Sequence, residues 1–182
     1  MQTIENYNHK GFNIKIALDE TSENPIKEWD MLGKYICFSD RYDLGNCNDF
    51  STPEEVEVFA KKNNCILYPL YIYDHSSIAL SLSPFACHWD SGQLGYIMID
   101  KAKVLSEYDK KRFTANFRNK IHGILECEIM TYNQYLSGEV YGYIITDQNG
   151  EDIETCWGFY GLEYVKQEAE SIIVWQKKEN PK

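Results

Sequence analysis

Val140-Tyr141-Gly142-Tyr143-Ile144-Ile145-Thr146, then Gln148-Asn149-Gly150, then the run from Ile153 to Tyr160, is the stretch that decides the fold. Two runs rich in β-branched and aromatic residues, joined by Asn-Gly, predict an antiparallel hairpin, because that dipeptide accepts the positive φ of a tight turn. Leu162, Val165, Ala169, Ile172 and Ile173 follow at helical spacing and predict a closing amphipathic helix. A hairpin followed directly by a helix, without a βαβ rhythm, predicts an α+β fold.

Upstream, Phe117, Ile121, Ile124, Leu125, Tyr132 and Leu136 predict a long helix over about 114–136, weakened at Gly123 by about 1 kcal/mol relative to Ala. Before it come three strand-like runs, Ile66–Tyr73, Ile78–Leu82 and Gly95–Ile99, and Asp100 is placed to cap a short helix through Leu105. Pro69 predicts an edge position or a bulge in the first of these runs. Thr52-Pro53-Glu54-Glu55 has the residues of a helix start: a capping hydroxyl, a proline at the first position, and a glutamate at capping-box spacing. Phe12–Leu18 and Lys34–Phe38 read as two further strands. No repeat, low-complexity tract or linker interrupts the 182 residues. The expectation is one α+β domain over 1–182, a mainly antiparallel sheet packed by three to four helices.

The apolar share of 43% and the aromatic share of 14% exclude a disordered chain. Fourteen tyrosines suit either a contact surface or an ordinary β-rich core. The six cysteines (Cys37, Cys47, Cys65, Cys87, Cys127, Cys156) form no C-x-x-C pair and have no zinc-finger spacing to histidines. Free thiols, no metal and no cofactor are expected. The opening residues have no signal-peptide pattern, and no apolar run nears the ~20 residues that span a bilayer, so a cytoplasmic protein with no membrane partner is expected.

The net charge of −10 is unevenly spread. Asp19–Glu57 carries eleven acids and three bases, a net of −8, and Glu126–Glu170 carries ten acids and one base, a net of −9. Between them Lys101–Lys120 carries seven bases and two acids, a net of +5. That strip, with Lys110, Lys111, Arg112, Arg118 and Lys120, can meet phosphates or acidic side chains, while the acidic segments face a positive partner.

Two polar clusters can carry chemistry. In Tyr73-Asp74-His75-Ser76-Ser77, His75 with Asp74 or Asp90 can form an oriented acid–base pair, since a carboxylate fixes an imidazole tautomer. In Cys87-His88-Trp89-Asp90-Ser91-Gly92-Gln93, His88 can supply the second group that metal-free RNA cleavage needs, with Arg112, Arg118 or Lys120 steadying developing charge. If the flanking strands are neighbours, both clusters share one end of the sheet. The catalytic candidates are therefore His75, Asp74 and Asp90; Tyr73, Ser76, His88, Trp89, Ser91 and Gln93 join the basic residues as binding candidates. The alternative is structural: Asp74-His75-Ser76 as a hydrogen-bonded turn, and Trp89-Asp90-Ser91-Gly92 as a tight turn whose aromatic caps the core.

Pro69–Ser76, Ser83–Gly95, Tyr132–Gly142 and Cys156–Gly161 resemble motifs of a protein family carried by phages and conjugative elements of Gram-positive and gut bacteria. The resemblance covers roughly Cys65 to Ala169 and departs at Ser77, where the pattern has glycine, and at His88, where it has proline or another residue. Size, acidity and this setting make the chain look like a type II anti-CRISPR protein. The resemblance implies, as partners, a host CRISPR type II effector nuclease and its guide RNA, with inhibition at guide loading or through guide cleavage. A free-standing ribonuclease and a non-catalytic acidic interaction module are the rival expectations.

Overall fold

The structure is a computed structural model and describes residues 1–179. Along the chain run β1 (Thr3–His9), β2 (Phe12–Leu18), α1 (Pro25–Glu28), β3 (Lys34–Cys37), α2 (Pro53–Lys62), β4 (Cys65–Asp74) and β5 (Ile78–Ser81). Then come β6 (Ser91–Asp100), α3 (Lys101–Glu107), α4 (Ala115–Leu136), β7 (Val140–Thr146), β8 (Asp152–Tyr160) and α5 (Leu162–Glu179). The fold class is α+β, as expected, but the strands form two antiparallel four-stranded sheets, β1-β2-β7-β8 and β3-β6-β4-β5. The chain divides into two compact units: Met1–Glu23 with the chain from Gln134 onward, and Asn24–Asn133.

The first unit is an antiparallel meander backed by α5. Ile14, Ile16, Tyr143 and Ile145 from the sheet meet Val165, Ala169 and Ile173 from the helix. Each fully buried aliphatic side chain contributes roughly 1.5–3 kcal/mol. The hairpin of β7 and β8 forms as expected, but its connection is longer than an Asn-Gly turn. Asp147 organises it, its carboxylate accepting from the backbone N–H of Asn149 at 2.8 Å and of Glu151 at 2.9 Å, while Gly150 takes the positive φ of 84°. Those donors, Glu151 first, hold the Asp147 carboxyl below its ordinary value. Strand β1 was not anticipated from Thr3-Ile4-Glu5-Asn6-Tyr7-Asn8-His9, because its inward residues are polar. Glu5 pairs with Lys166 at 3.0 Å and the Tyr7 hydroxyl donates to Glu170 at 3.2 Å, so this edge strand docks on α5 by polar contacts.

In the second unit a sheet is covered on both faces. Ile36 and Met98 face Val56 and Ala60 of α2. The opposite face meets α4, where Tyr35 stacks edge-on against Tyr132 at 6.4 Å and Tyr68 lies 6.0 Å from His122. Glu128 of α4 reaches past these rings to accept from the Leu32 N–H at 2.7 Å and the Tyr35 hydroxyl at 3.3 Å. The expected helix caps form: the Thr52 hydroxyl accepts from Glu55 N–H, and Asp100 from Ala102 and Lys103 N–H; before α4 the Thr114 hydroxyl likewise accepts from Phe117 N–H. Pro69 satisfies both readings at once. Strand β5 pairs only with Tyr71–Asp74, so Pro69 has a neighbour on one side alone, and a register shift follows between Leu70 and Tyr71.

Gly95 lets β3 and β6 meet: a Cβ there would lie 2.0 Å from the Ile36 carbonyl oxygen, whereas one at Gly92 on the same strand meets nothing within 4 Å. Gly95→Ala should therefore lower stability by about 1–3 kcal/mol, and Gly92→Ala should stay within about 0.5 kcal/mol, by urea midpoints. Burial pushes the Glu128 carboxyl above its ordinary value of 4.5. The native state then binds more protons than the unfolded one just above that value, so stability falls as pH rises through the window. Glu128→Gln should remove up to one proton of that slope, at most about 1.4 kcal/mol per pH unit, in denaturation measured from pH 4 upward.

Candidate functional site

Antiparallel pairing of β4 with β6 matches Tyr73 to Ser91 and Ile72 to Gly92, which brings the two polar clusters to one end of the second sheet. The Asp74 N–H donates to the Asp90 carbonyl at 2.7 Å, tying the segments together by backbone. Tyr73 packs between His75, at 6.2 Å, and Phe85, at 5.6 Å.

Within this end the side chains are committed in ways the sequence did not show. The Asp74 carboxylate accepts from Arg41 Nη1 at 3.0 Å and from the Tyr42 hydroxyl at 3.0–3.1 Å. Partial desolvation and that hydrogen bond push the Tyr42 phenol up. Asp90 accepts a long contact from the Cys87 thiol at 3.6 Å, and the Ser91 hydroxyl donates to the Cys87 carbonyl. Gln93 Nε2 donates to the Gly95 carbonyl at 3.2 Å. His75, Ser76 and His88 are exposed. Among the described residues no hydrogen bond or ion pair joins His75 to Asp74 or Asp90. Trp89 is 96% exposed and caps no core, because Ser91 and Gly92 belong to β6 rather than to a turn. Arg41 and Tyr42 lie more than thirty positions upstream of Asp74, beyond any local spacing rule.

The basic strip lies at the other end. It begins where β6 ends, and Lys110, Lys111, Arg112, Arg118 and Lys120 are all exposed. Three of its cations sit over aromatic rings that the sequence reading passed by. Lys101 and Arg118 each lie 6.0 Å from the Phe113 ring, and Lys120 lies 4.7 Å from the Tyr108 ring. Phe117, buried, anchors both rings, at 5.6 Å from Tyr108 and 5.2 Å from Phe113. The stem of α4 thus gathers cations from α3, the connecting loop and its own first turns. Among the described residues none of the seven cations from Lys101 to Lys120 is in an ion pair.

Distance separates the two ends. Strand β6 is 10 residues long, about 30 Å between the His88 loop and the strip. Helix α4 repeats the separation: Asn133 clamps the Leu80 N–H and carbonyl at 2.8 and 2.9 Å near the polar clusters, whereas Arg118 lies about 22 Å closer to the helix start. The fold therefore does not bring Arg112, Arg118 or Lys120 to the histidines. Comparison with protein-family models, curated proteins and solved structures returns no match.

The six cysteines are free thiols, and burial, then Asp43, pushes Cys37 up to about 12, so it is a poor nucleophile. A clear contrast follows within the polar cluster. Asp74→Ala should cost about 1–2 kcal/mol by releasing Arg41 and Tyr42, while His75→Ala should stay within about 0.5 kcal/mol, measured by thermal melts of both variants.

Proposed function

We propose that this chain is a non-enzymatic RNA-binding protein whose basic strip engages phosphates, and that it inhibits a host type II CRISPR nuclease by occupying its guide RNA. The observation that carries the RNA-binding part is the strip itself: seven cations with no ion pair among the described residues, three of them seated over Tyr108 and Phe113. An unpaired cation keeps its full value for a phosphate, and one held over a ring loses less freedom on binding. The chain's net charge of −10 opposes loose adsorption to nucleic acid, so binding concentrates on the strip. The separation of the strip from His75 and His88 favours occupation over cleavage. The nuclease as partner rests on the resemblance of Pro69–Ser76 and Ser83–Gly95 to mobile-element proteins.

The test titrates a 20-nucleotide single-stranded RNA by fluorescence anisotropy at several salt concentrations. Changing Lys110, Lys111 and Arg112 together to Gln should weaken binding and flatten the log K against log salt line by about 2, since each single-strand phosphate contact contributes about 0.7. Wild-type affinity in the triple variant sinks the reading. Co-purification with guide-loaded nuclease, with the guide run on a denaturing gel, tests the partner: a complex holding full-length guide is expected, and a shortened guide restores the catalytic reading of His75.

A further inference from the structure

A cleft of about 530 Å³ opens in the second unit where β3 begins, β6 ends and α2 finishes. We propose that it is a nucleotide site: an aromatic base lies against Trp29 and Phe59, and its phosphate is held between Lys34 and Lys103. The inference rests on the RNA-binding reading only in taking the ligand to be a nucleotide. Its volume lies within the roughly 300–1,000 Å³ of small-molecule sites.

The walls are preformed. Phe59 lines the cleft, is 40% exposed, and packs edge-on with Phe50 at 5.2 Å, which restrains its ring. Trp29, 42% exposed, also lines the cleft, and its backbone amide donates to the Pro25 carbonyl at 3.1 Å, fixing the chain where it leaves α1. The loop between Trp29 and Lys34 is pinned at Gly33, where a Cβ would lie 2.3 Å from Ile97 Cγ2, and at Leu32, whose N–H is bound by Glu128. Buried Met98 and Val104 contribute apolar lining. Large aromatic side chains left exposed beside apolar lining cost hydration and suit a flat ring, and base stacking on one aromatic is a strong, sequence-tolerant contact.

The polar groups sort into spent and free. Asp100 caps α3 through Ala102 and Lys103 N–H, and Asn46 binds Tyr35 N–H and the Ile26 carbonyl. Lys34 and Lys103 have no ion pair among the described residues, and both line the cleft. Asp30 has no hydrogen bond or ion pair there either, and Asn63 uses its amide nitrogen on the Phe59 carbonyl, leaving Oδ1 as an acceptor. Two cations call for an anion. Two acceptors call for a base edge that donates, and guanine, with N1–H and an amino group, offers the most. Lys103 also belongs to the basic strip, so a base seated here would sit at one end of an RNA strand that continues along the strip.

The probe is guanosine 5′-monophosphate, titrated calorimetrically into the full chain, with guanosine and uridine 5′-monophosphate alongside. Guanosine monophosphate should bind at least 10-fold tighter than guanosine and several-fold tighter than the uridine nucleotide. Lys34→Gln and Lys103→Gln should each weaken it roughly 10-fold, and Phe59→Ala roughly 5- to 100-fold. Phe59→Leu keeps the packing against Phe50 and should lose the same stacking with an unchanged melting curve. Equal affinity for guanosine and its monophosphate, equal affinity for the two nucleotides, or wild-type affinity in these variants overturns the site. The variant altered at Lys110, Lys111 and Arg112 separates the two proposals. It should bind guanosine monophosphate normally, and RNA binding without nucleotide binding removes the cleft while sparing the strip.

Discussion

The antiparallel pairing of β4 with β6 is the constraint on which the second unit depends. Its register runs from Cys65 opposite Asp100 to Tyr73 opposite Ser91, so a single ladder fixes both ends of the sheet. Because side chains alternate along a strand, this register also decides which helix each residue meets. Met98 goes to α2, Ile97 to the α4 face, and a slip of one residue would exchange them. Gly95 is the point where that register is locked to β3, since no side chain fits beneath the Ile36 carbonyl.

The same ladder divides the surface chemically. One end holds backbone-tied loops with exposed His75, His88 and Trp89; the other holds the cations and the cleft. Asp74 illustrates how a residue that looks catalytic in sequence becomes structural in space. Its carboxylate is already satisfied by a guanidinium and a phenol, and a carboxylate with two charge-assisted or hydroxyl partners is a fastener for the 39–43 loop. Three of the cations at the opposite end differ because the fold gives them aromatic seats in place of carboxylates.

Much of the fold was legible because local rules act there without competition. The caps at Thr52 and Asp100 depend on neighbours within three residues, and the long helix and the β7–β8 hairpin show strong periodicity. What was missed depends on distant partners. Strand β1 has a polar inward face that makes sense only opposite Lys166 and Glu170 of α5. The two-sheet division depends on which strands pair, and β2 with β7 is a pairing that no local pattern reveals. The tyrosines divide likewise: Tyr35, Tyr68, Tyr132, Tyr141 and Tyr143 are buried, so much of that tyrosine content serves cores rather than a contact surface. At the site, the cation strip could be read as a charge count, but the roles of Tyr108 and Phe113 required knowing that α3 and α4 converge on Phe117.

The first sheet is interrupted in the chain by the whole of the second unit, and this orders events on the ribosome. Strands β1 and β2 emerge first, yet β2 cannot receive β7 until residues 24–133 have been synthesised. At roughly 5–20 residues per second that wait is on the order of ten seconds. A lone two-stranded hairpin is marginal in water, and until β7 and α5 arrive this one leaves the edge of β2 unpaired and Ile14 and Ile16 uncovered on its face. The inserted unit, with its sheet closed between α2 and α4, completes meanwhile. The nascent chain therefore passes through a stage with a finished middle and a sticky, unfinished beginning, the interval in which a holdase chaperone has most to grip.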